Sequence, residues 1–177
     1  FIGIDRPAGA AVSVDGMVYL LPTENEWYKA AYYDPTRGGA DLYWLYPTRS
    51  DVTPGKSLSD TTGNNANYGG AAGSVPYITE VGQFHLSSSY YGTFDQGGNV
   101  TEWTETPGGT GYVFRGGSWL VSFDELKAEN RNFYAPTTEN DSLGFRVIAI
   151  SAASIPEPSA ALLLLFGAVA ALLKRRR

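Results

Sequence analysis

The sequence predicts an α+β fold that is rich in loops, with short strands, one or two short helices and a C-terminal hydrophobic helix. The 177 residues include 21 Gly and 10 Pro, which favour turns over long regular elements. There are also 12 Tyr and 4 Trp, and such large side chains can hold together a domain with little regular structure. Short β-prone runs alternate with two helix-capping patterns. The length is sufficient for one domain with a core.

The charge of the chain is divided between an acidic body and a basic tail. Without the four basic residues 174–177 and the acidic Glu157, the body has 9 basic and 17 acidic side chains. Such a surplus of negative charge repels phosphate backbones, so nucleic acid is not an expected partner. The sequence has no cysteine and one histidine, which excludes disulfides and Cys/His zinc sites. His85 is expected in a surface loop.

The first predicted elements are a hairpin and a helix. Asp15-Gly16 lies between two β-prone runs and predicts a hairpin over residues 12–20, because Gly can take the positive φ of a tight turn. Thr23 and Glu26 have the spacing of a capping box, which predicts a helix over about 24–33.

Four later stretches also have patterns of regular structure. Residues 43–46 are apolar and aromatic and predict a buried strand. A second strand is expected within 111–119 and one or two helical turns within 122–130. The β-prone run 143–150 predicts the last core strand.

Residues 92–104 have the composition of a site for a hard cation. Asp95 and Glu102 supply carboxylates, Asn99 supplies an amide, and Gly97-Gly98 allows backbone carbonyls to turn towards one point. Calcium accepts about six to eight oxygen ligands of these kinds. The alternative is a polar turn in which the Asp and Asn side chains bond to their own backbone.

Four motifs, in their order along the chain, resemble the domain of formylglycine-generating enzymes, also called sulfatase-modifying factors. The motifs are Leu21-Pro-Thr-Glu-Asn-Glu-Trp27, the loop 92–104, Arg115-Gly-Gly-Ser-Trp119 and Gly144-Phe-Arg-Val147. The resemblance extends from about residue 20 to 149 and implies a variant of the C-type lectin fold. It also implies that residues 1–150 are one such domain, truncated at its N terminus, with Arg115 directed inward.

The resemblance implies calcium at the central loop. Carried over by position, its ligands are the Asp95 side chain, the Gly98 and Val100 carbonyls and the Glu102 side chain. A second, weaker calcium site is implied at the Asn67 side chain and the Tyr68 carbonyl. Its remaining ligands have no clear match between residues 69 and 77, and an Asn-rich turn is an equal alternative there.

Catalytically active members of this family use two cysteines that bind copper and oxidise a substrate cysteine with oxygen. Val121 and Leu126 stand at the two matching positions, so neither copper nor this chemistry is expected. Ser118 has no adjacent base, which makes it a weak nucleophile. Related proteins of ergothioneine synthesis take iron ligands from a separate histidine-rich domain. The export signal described next disfavours that alternative.

The C-terminal residues resemble the PEP-CTERM sorting signal of bacterial envelope proteins, which an exosortase recognises. Residues 151–158 form a linker, and residues 159–177 combine an apolar run with a basic tail and predict a transmembrane sorting helix. The 15-residue apolar run gives a helix of about 22 Å, against a hydrocarbon core of about 30 Å. The sorting motif itself is Pro156, Glu157 and Pro158.

Together these features predict an exported, calcium-stabilised and non-catalytic domain that binds a glycan, matrix polysaccharide or another envelope protein. The C-terminal helix would hold it transiently in the inner membrane with the body outside the cytoplasm, before exosortase sends it to the cell surface or extracellular matrix. Because the chain begins with Phe1, it is expected to be part of a longer precursor. Most aromatic side chains are expected in the core, and exposed tyrosines could act as stacking platforms. The alternative is an oxidoreductase-type enzyme with altered chemistry.

Overall fold

A computed structural model describes residues 12–151, which fall into two compact units. The described part of the smaller unit contains β1 (Val12–Val14), β2 (Met17–Leu20) and β7 (Ile148–Ser151), arranged as an antiparallel sheet in the order β1-β2-β7. The predicted hairpin is confirmed, because Asp15 and Gly16 take φ values of 52° and 74° and join β1 to β2.

The predicted sorting motif, apolar helix and basic tail lie outside the described residues. Among residues 12–151, no helix is long and apolar enough to cross a membrane.

The larger unit, residues 21–147, combines a four-stranded sheet with one α-helix and one 3₁₀ turn. The elements are α1 (Glu24–Tyr32), β3 (Thr101–Gly108), β4 (Gly111–Arg115), the 3₁₀ turn Phe123–Leu126, β5 (Asn132–Tyr134) and β6 (Leu143–Phe145). The strand order is β5-β4-β3-β6, in which β6 pairs parallel to β3 and the other pairs are antiparallel. The mixed α and β character and the scarcity of helix agree with the predicted fold class.

Helix α1 begins as its capping pattern predicts. The Thr23 hydroxyl accepts from the Glu26 amide at 3.3 Å, and the Glu26 carboxylate accepts from the Thr23 amide at 2.7 Å. Trp27 and Tyr32 on this helix are buried, and the Tyr32 hydroxyl donates to the Leu126 carbonyl at 3.0 Å. The cap fixes where the helix starts, and these buried rings fix which side faces the core.

Two strand predictions were wrong. Tyr43 and Tyr46 form only isolated bridges, because the Asp51 carboxylate, rather than a neighbouring strand, accepts from the Leu45 amide between them. The run 143–150 is divided between β6 and β7, which belong to different sheets. The division falls at Arg146 and Val147, where the Arg146 side chain turns to the β3 carboxylate described below.

The distribution of aromatic side chains also differs from the prediction. Five are buried, and they are Trp27, Tyr32, Tyr46, Tyr68 and Phe84. Nine are exposed, and they are Tyr19, Tyr77, Tyr90, Tyr91, Tyr112, Phe123, Phe133, Tyr134 and Phe145. Among residues 15–151, exposed aromatic side chains therefore outnumber fully buried ones. His85 is exposed, as predicted.

Asp34, directly after α1, is a buried carboxylate that organises the following loop. It accepts from the Thr36 amide and hydroxyl at 2.9 and 2.6 Å, from the Trp44 indole at 3.1 Å and from the Arg49 guanidinium at 3.1 Å. Burial alone would raise the pKa of Asp34, but these donors outweigh it and lower the pKa from 3.8 to about 2.

We expect Asp34 to make the native state less stable in acid. A carboxyl whose pKa is lower in the folded chain stabilises the fold above its unfolded pKa and loses this effect as the pH falls through the folded value. The stability difference between the natural chain and Asp34→Asn should therefore be constant above about pH 5 and shrink between about pH 4 and pH 2. Urea unfolding at a series of pH values measures it.

The exposed Asp141→Asn provides the matched control, and its difference from the natural chain should be small throughout. A stability difference for Asp34→Asn that stays constant from pH 7 to pH 2 would contradict the assigned role of Asp34.

Candidate binding cleft and cation sites

The loop before β3 depends on left-handed backbone conformations. Asp95, Gly98 and Asn99 have φ values of 57°, 81° and 62°. A Cβ on Gly98 would lie 2.2 Å from the Asn67 carbonyl oxygen, so only glycine fits this approach. The Gly98 amide donates to the Gly116 carbonyl at 2.8 Å, and the Asn99 amide donates to the Asn67 carbonyl at 2.7 Å. The predicted loop and the segment at Asn67 are thereby held together.

Asp95 is a half-buried carboxylate whose lost contact with water is only partly replaced by hydrogen bonds. One of its oxygens accepts from the Gly82 amide at 2.8 Å. Burial raises the pKa of Asp95, although the Gly82 amide and the Arg146 guanidinium oppose the rise. The net rise means that the folded chain disfavours the charged form. A cation bound to this carboxylate would offset that cost.

Glu102 of β3 is buried and already engaged by two other residues. One carboxylate oxygen accepts from Arg146 Nη2 at 2.6 Å. The other accepts from Arg146 Nε at 2.5 Å and from the Trp27 indole at 2.6 Å. This bidentate geometry is the strong form of a carboxylate–arginine pair. A calcium ion bound to Glu102 would therefore share its carboxylate with the guanidinium.

The predicted second site adjoins the central loop. Asn67 is buried, and its Nδ2 donates to the Tyr77 carbonyl at 2.8 Å and to Asn99 Oδ1 at 3.2 Å. Asn67 Oδ1 is buried without a hydrogen-bond partner, as is the Thr79 hydroxyl. Buried oxygens without donors are rare, because each has lost its bonds to water. These two oxygen atoms have the chemistry that a hard cation requires.

The other predicted ligands take part in local packing. The Tyr68 carbonyl accepts from the Ala71 amide at 3.1 Å, and the Val100 side chain lies against Gly144. Among residues 12–151, no cluster of three or more His, Cys, Asp or Glu side chains could hold a metal. The predicted sites have a different composition, since they combine one or two acidic or amide side chains with backbone carbonyls.

A cleft of about 460 Å³ opens beside strands β4 and β5. Ser118 and Val121 line it, and so do residues of both strands. Leu126 is completely buried in a cluster with Tyr46 and Tyr68. The two residues that the sequence predicts at the copper-ligand positions are therefore one aliphatic residue at the cleft wall and one in the core.

The charged groups that line the cleft are predominantly acidic. Arg115 is buried as predicted, and its guanidinium binds the Glu24 carboxylate at 2.8 Å and the Ala128 carbonyl at 2.9 Å. Its charge is thus neutralised within the fold. Glu125 and Asp141 also line the cleft. A ligand in the cleft would consequently meet two carboxylates and no unpaired guanidinium from Arg115.

The order of the motifs and this geometry agree with a known family. A family model, described as the sulfatase-modifying factor enzyme 1-like domain, matches residues 5–150. The chain belongs to this family. The structure of Treponema denticola variable protein 1 is also similar, with a TM-score of 0.51 and 27% identity. That match covers 79% of this chain and 50% of the other.

Two relatives differ in what their names report. A hercynine oxygenase of Mycolicibacterium thermoresistibile is 31% identical over 152 residues, which cover 72% of this chain and 31% of that protein. An inactive Cα-formylglycine-generating enzyme 2 of Mus musculus is 31% identical over 141 residues, which cover 71% of this chain and 41% of that protein. The chain thus spans less than half the length of either relative.

Sequence reasoning identified Glu102 but not the residues that hold it. Trp27 and Arg146 were recognised only as members of two of the four family motifs. The sequence gives no indication that the Thr79 hydroxyl is buried, because a single Thr in a loop is compatible with many different positions. The sequence does contain one indication for Arg146, which is that a single basic residue lies within the β-prone run 143–150.

We expect Glu102 and Arg146 to be strongly coupled. Glu102→Gln and Arg146→Met should each destabilise the chain by about 3 kcal/mol, because the first leaves a half-buried guanidinium and the second a buried carboxylate without its partner. The double variant should be destabilised by about 2 kcal/mol less than the sum of the two single variants. Urea unfolding of all four proteins, with calcium removed by a chelator, measures the coupling.

The pair Asp124 and Lys127, 2.7 Å apart with the Asp124 carboxylate exposed to water, is the control and should show a coupling below about 0.5 kcal/mol. A coupling between Glu102 and Arg146 as small as this would show that their contact does not stabilise the fold.

Proposed function

We propose that the chain is an exported, non-catalytic binding domain whose cleft takes a glycan, matrix or envelope partner. The observation that carries this proposal is the cleft beside β4 and β5, where Val121 stands at one of the two copper-ligand positions. Leu126 occupies the other within the core. A sequence without cysteine has no thiol for the family's oxidation. The similarity to a relative named as inactive supports the same view.

We further propose that calcium stabilises this domain. The proposal is supported by Asp95, whose pKa burial raises, and by Asn67, whose buried oxygen has no donor. One calcium ion at each of the two predicted sites would give these oxygens a positively charged partner. The Gly98 and Val100 carbonyls and the Glu102 carboxylate would complete the central site, to which Asp95 belongs. Export rests on the sorting motif at residues 156–158, which implies exosortase and the inner membrane as transient partners.

The second candidate is an oxidoreductase with altered chemistry. The similarity to a hercynine oxygenase favours it, since that relative is named as an enzyme. The match covers only 31% of that protein, so the residues that catalyse its reaction need not lie in the shared part. Oxygen consumption by the purified chain distinguishes the two candidates.

We expect calcium to raise the melting temperature of the full chain. A ligand that binds only the native state stabilises it by about 2.7 kcal/mol when present at about 100 times its Kd, which shifts the midpoint by several degrees. Asp95→Asn should reduce this shift and remove one calcium ion per chain in calorimetric titration. In chelator the same variant should be at least as stable as the natural chain, because it removes a buried charge.

Asp124→Asn is the control for a lost carboxylate outside the proposed sites, and it should keep the full calcium response. If calcium does not change the midpoint, or if Asp95→Asn binds as many calcium ions as the natural chain, the calcium proposal fails.

We expect the purified chain to add nothing to the oxygen consumption of a mixture of copper(I) or iron(II), a reducing thiol and either a cysteine-containing peptide or hercynine, with the same mixture without protein as the background. The reason is that neither Val121 nor Leu126 can bind a metal or act as a thiol. An oxygen electrode measures the rate, with a formylglycine-generating enzyme as the positive control. Protein-dependent oxygen uptake with either substrate would favour the enzyme candidate.

A further inference from the structure

The outward face of the four-stranded sheet carries a continuous row of aromatic side chains. Trp103 lies opposite Phe114 of β4 and beside Phe145 of β6, while Tyr112 pairs with Tyr134 of β5. Paired residues point to the same face of a sheet, and alternate residues of one strand do so too. These five residues, which we call the aromatic row, therefore share one face.

The aromatic row is not part of the core. The opposite face of the same strands carries Glu102, Val113 and Arg115, all of which are buried. By contrast, Tyr112, Tyr134 and Phe145 are 40%, 43% and 66% exposed, while Trp103 and Phe114 between them are half-buried. The usual pattern of a half-buried sheet places its large aromatic residues inward, and here it is reversed. An exposed row of large apolar rings is typical of an interaction surface.

Three rings of the aromatic row, those of Trp103, Phe114 and Tyr134, are ordered by contact with one another. Phe114 and Tyr134 are stacked, with ring centroids 4.3 Å apart and planes at 25°. Trp103 contacts both rings edge-on, at 6.2 and 6.4 Å. A ligand on these rings would therefore immobilise few side chains that are free beforehand. Four strands at about 4.8 Å spacing give a platform about 14 Å long, which is roughly the length of three sugar rings.

The cleft supplies a polar border to the aromatic row. Phe114 and Tyr134 belong to both, and the cleft adds the amide side chains Asn130, Asn132 and Asn140. These amides already bond within the fold, since Asn132 Nδ2 donates to Glu125 Oε2 at 3.0 Å and to Asn130 Oδ1 at 2.8 Å, and Asn140 Oδ1 accepts from the Ser142 amide at 3.0 Å. Asn132 Oδ1 and the Nδ2 groups of Asn130 and Asn140 are the polar atoms that they offer to a ligand hydroxyl. Amides beside aromatic rings suit a ligand with many hydroxyl groups and an apolar ring face.

The charges around this surface disfavour an anionic ligand. Glu125 and Asp141 line the cleft, and Arg115 is held by Glu24. Like charges brought together at an interface cost binding free energy, so uronic acids, sulfated sugars and nucleic acids would be repelled.

We propose that the aromatic row and the cleft together bind an uncharged, flat glycan chain of the β-1,4-glucan type. Its sugar rings would stack on the ring faces that the contact between Phe114 and Tyr134 leaves free, because the faces of aromatic rings are apolar and carry partial negative charge that attracts polarised C–H groups. Its equatorial hydroxyls would reach the cleft amides. The inference rests on the proposed binding function and specifies the class of ligand.

Calorimetric titration of the full chain with cellohexaose tests the proposal. We expect saturable binding that Tyr134→Ala and Phe145→Ala each weaken about tenfold, because each removes one stacking ring. Tyr91→Ala is the matched control, since Tyr91 is an exposed aromatic residue outside the row, and it should bind like the natural chain. The melting temperature of each variant establishes that it is folded.

A second pair of measurements tests the charge argument. The natural chain should bind a hexamer of alginate, which is anionic, at least tenfold more weakly than cellohexaose. Asp141→Lys, at an exposed position, should strengthen alginate binding and so reduce the difference between the two affinities. It should change the affinity for cellohexaose less than about twofold.

Three results would overturn the inference. The first is that the natural chain does not bind cellohexaose. The second is that Tyr134→Ala and Phe145→Ala bind cellohexaose as tightly as the natural chain does. The third is a dimer of the natural chain in sedimentation that Phe145→Ala dissociates, since a second copy would then cover the row. If these results occur while the calcium response persists and oxygen uptake is absent, only the ligand class fails. Oxygen uptake by the chain would instead contradict the proposed function.

Discussion

The buried carboxylate of Glu102 is the contact on which the larger unit depends. Strand β3 carries it inward, α1 brings the Trp27 indole to it, and the chain after β6 brings the Arg146 guanidinium. None of these three groups can be buried alone without a large loss of hydration free energy. The contacts among these three groups therefore fix α1, β3 and the chain after β6 relative to one another.

A second constraint is a contact between backbones. Gly98 approaches the Asn67 carbonyl so closely that a side chain has no room, and the Asn99 side chain joins the same segment to Thr79. Loops in this unit are thus fixed by hydrogen bonds of their own polar groups as well as by apolar packing. Asn67 also carries the Oδ1 atom that is buried without a donor, so the contact between the loops and the candidate cation site share this residue.

The sequence predicted the elements whose signals are local. The hairpin followed from Asp15-Gly16 and the helix start from Thr23 and Glu26, because these residues act on their immediate neighbours. Division of the last strand at Arg146 could not be predicted, since it depends on a carboxylate 44 positions away in the chain. Of the candidate site, the loop and Glu102 were recognisable, whereas the aromatic row was not. Period-two alternation separates two faces of a strand but does not show which face is buried.

The alternation of β4 has a consequence for how such a domain can diversify. Val113 points to the interior and supports the fold, while Tyr112 points outward and is 40% exposed. Substitutions at the outward positions can therefore change what the surface recognises at small thermodynamic cost. Folding and recognition are assigned to neighbouring residues of one strand, so selection can act on either property almost independently of the other.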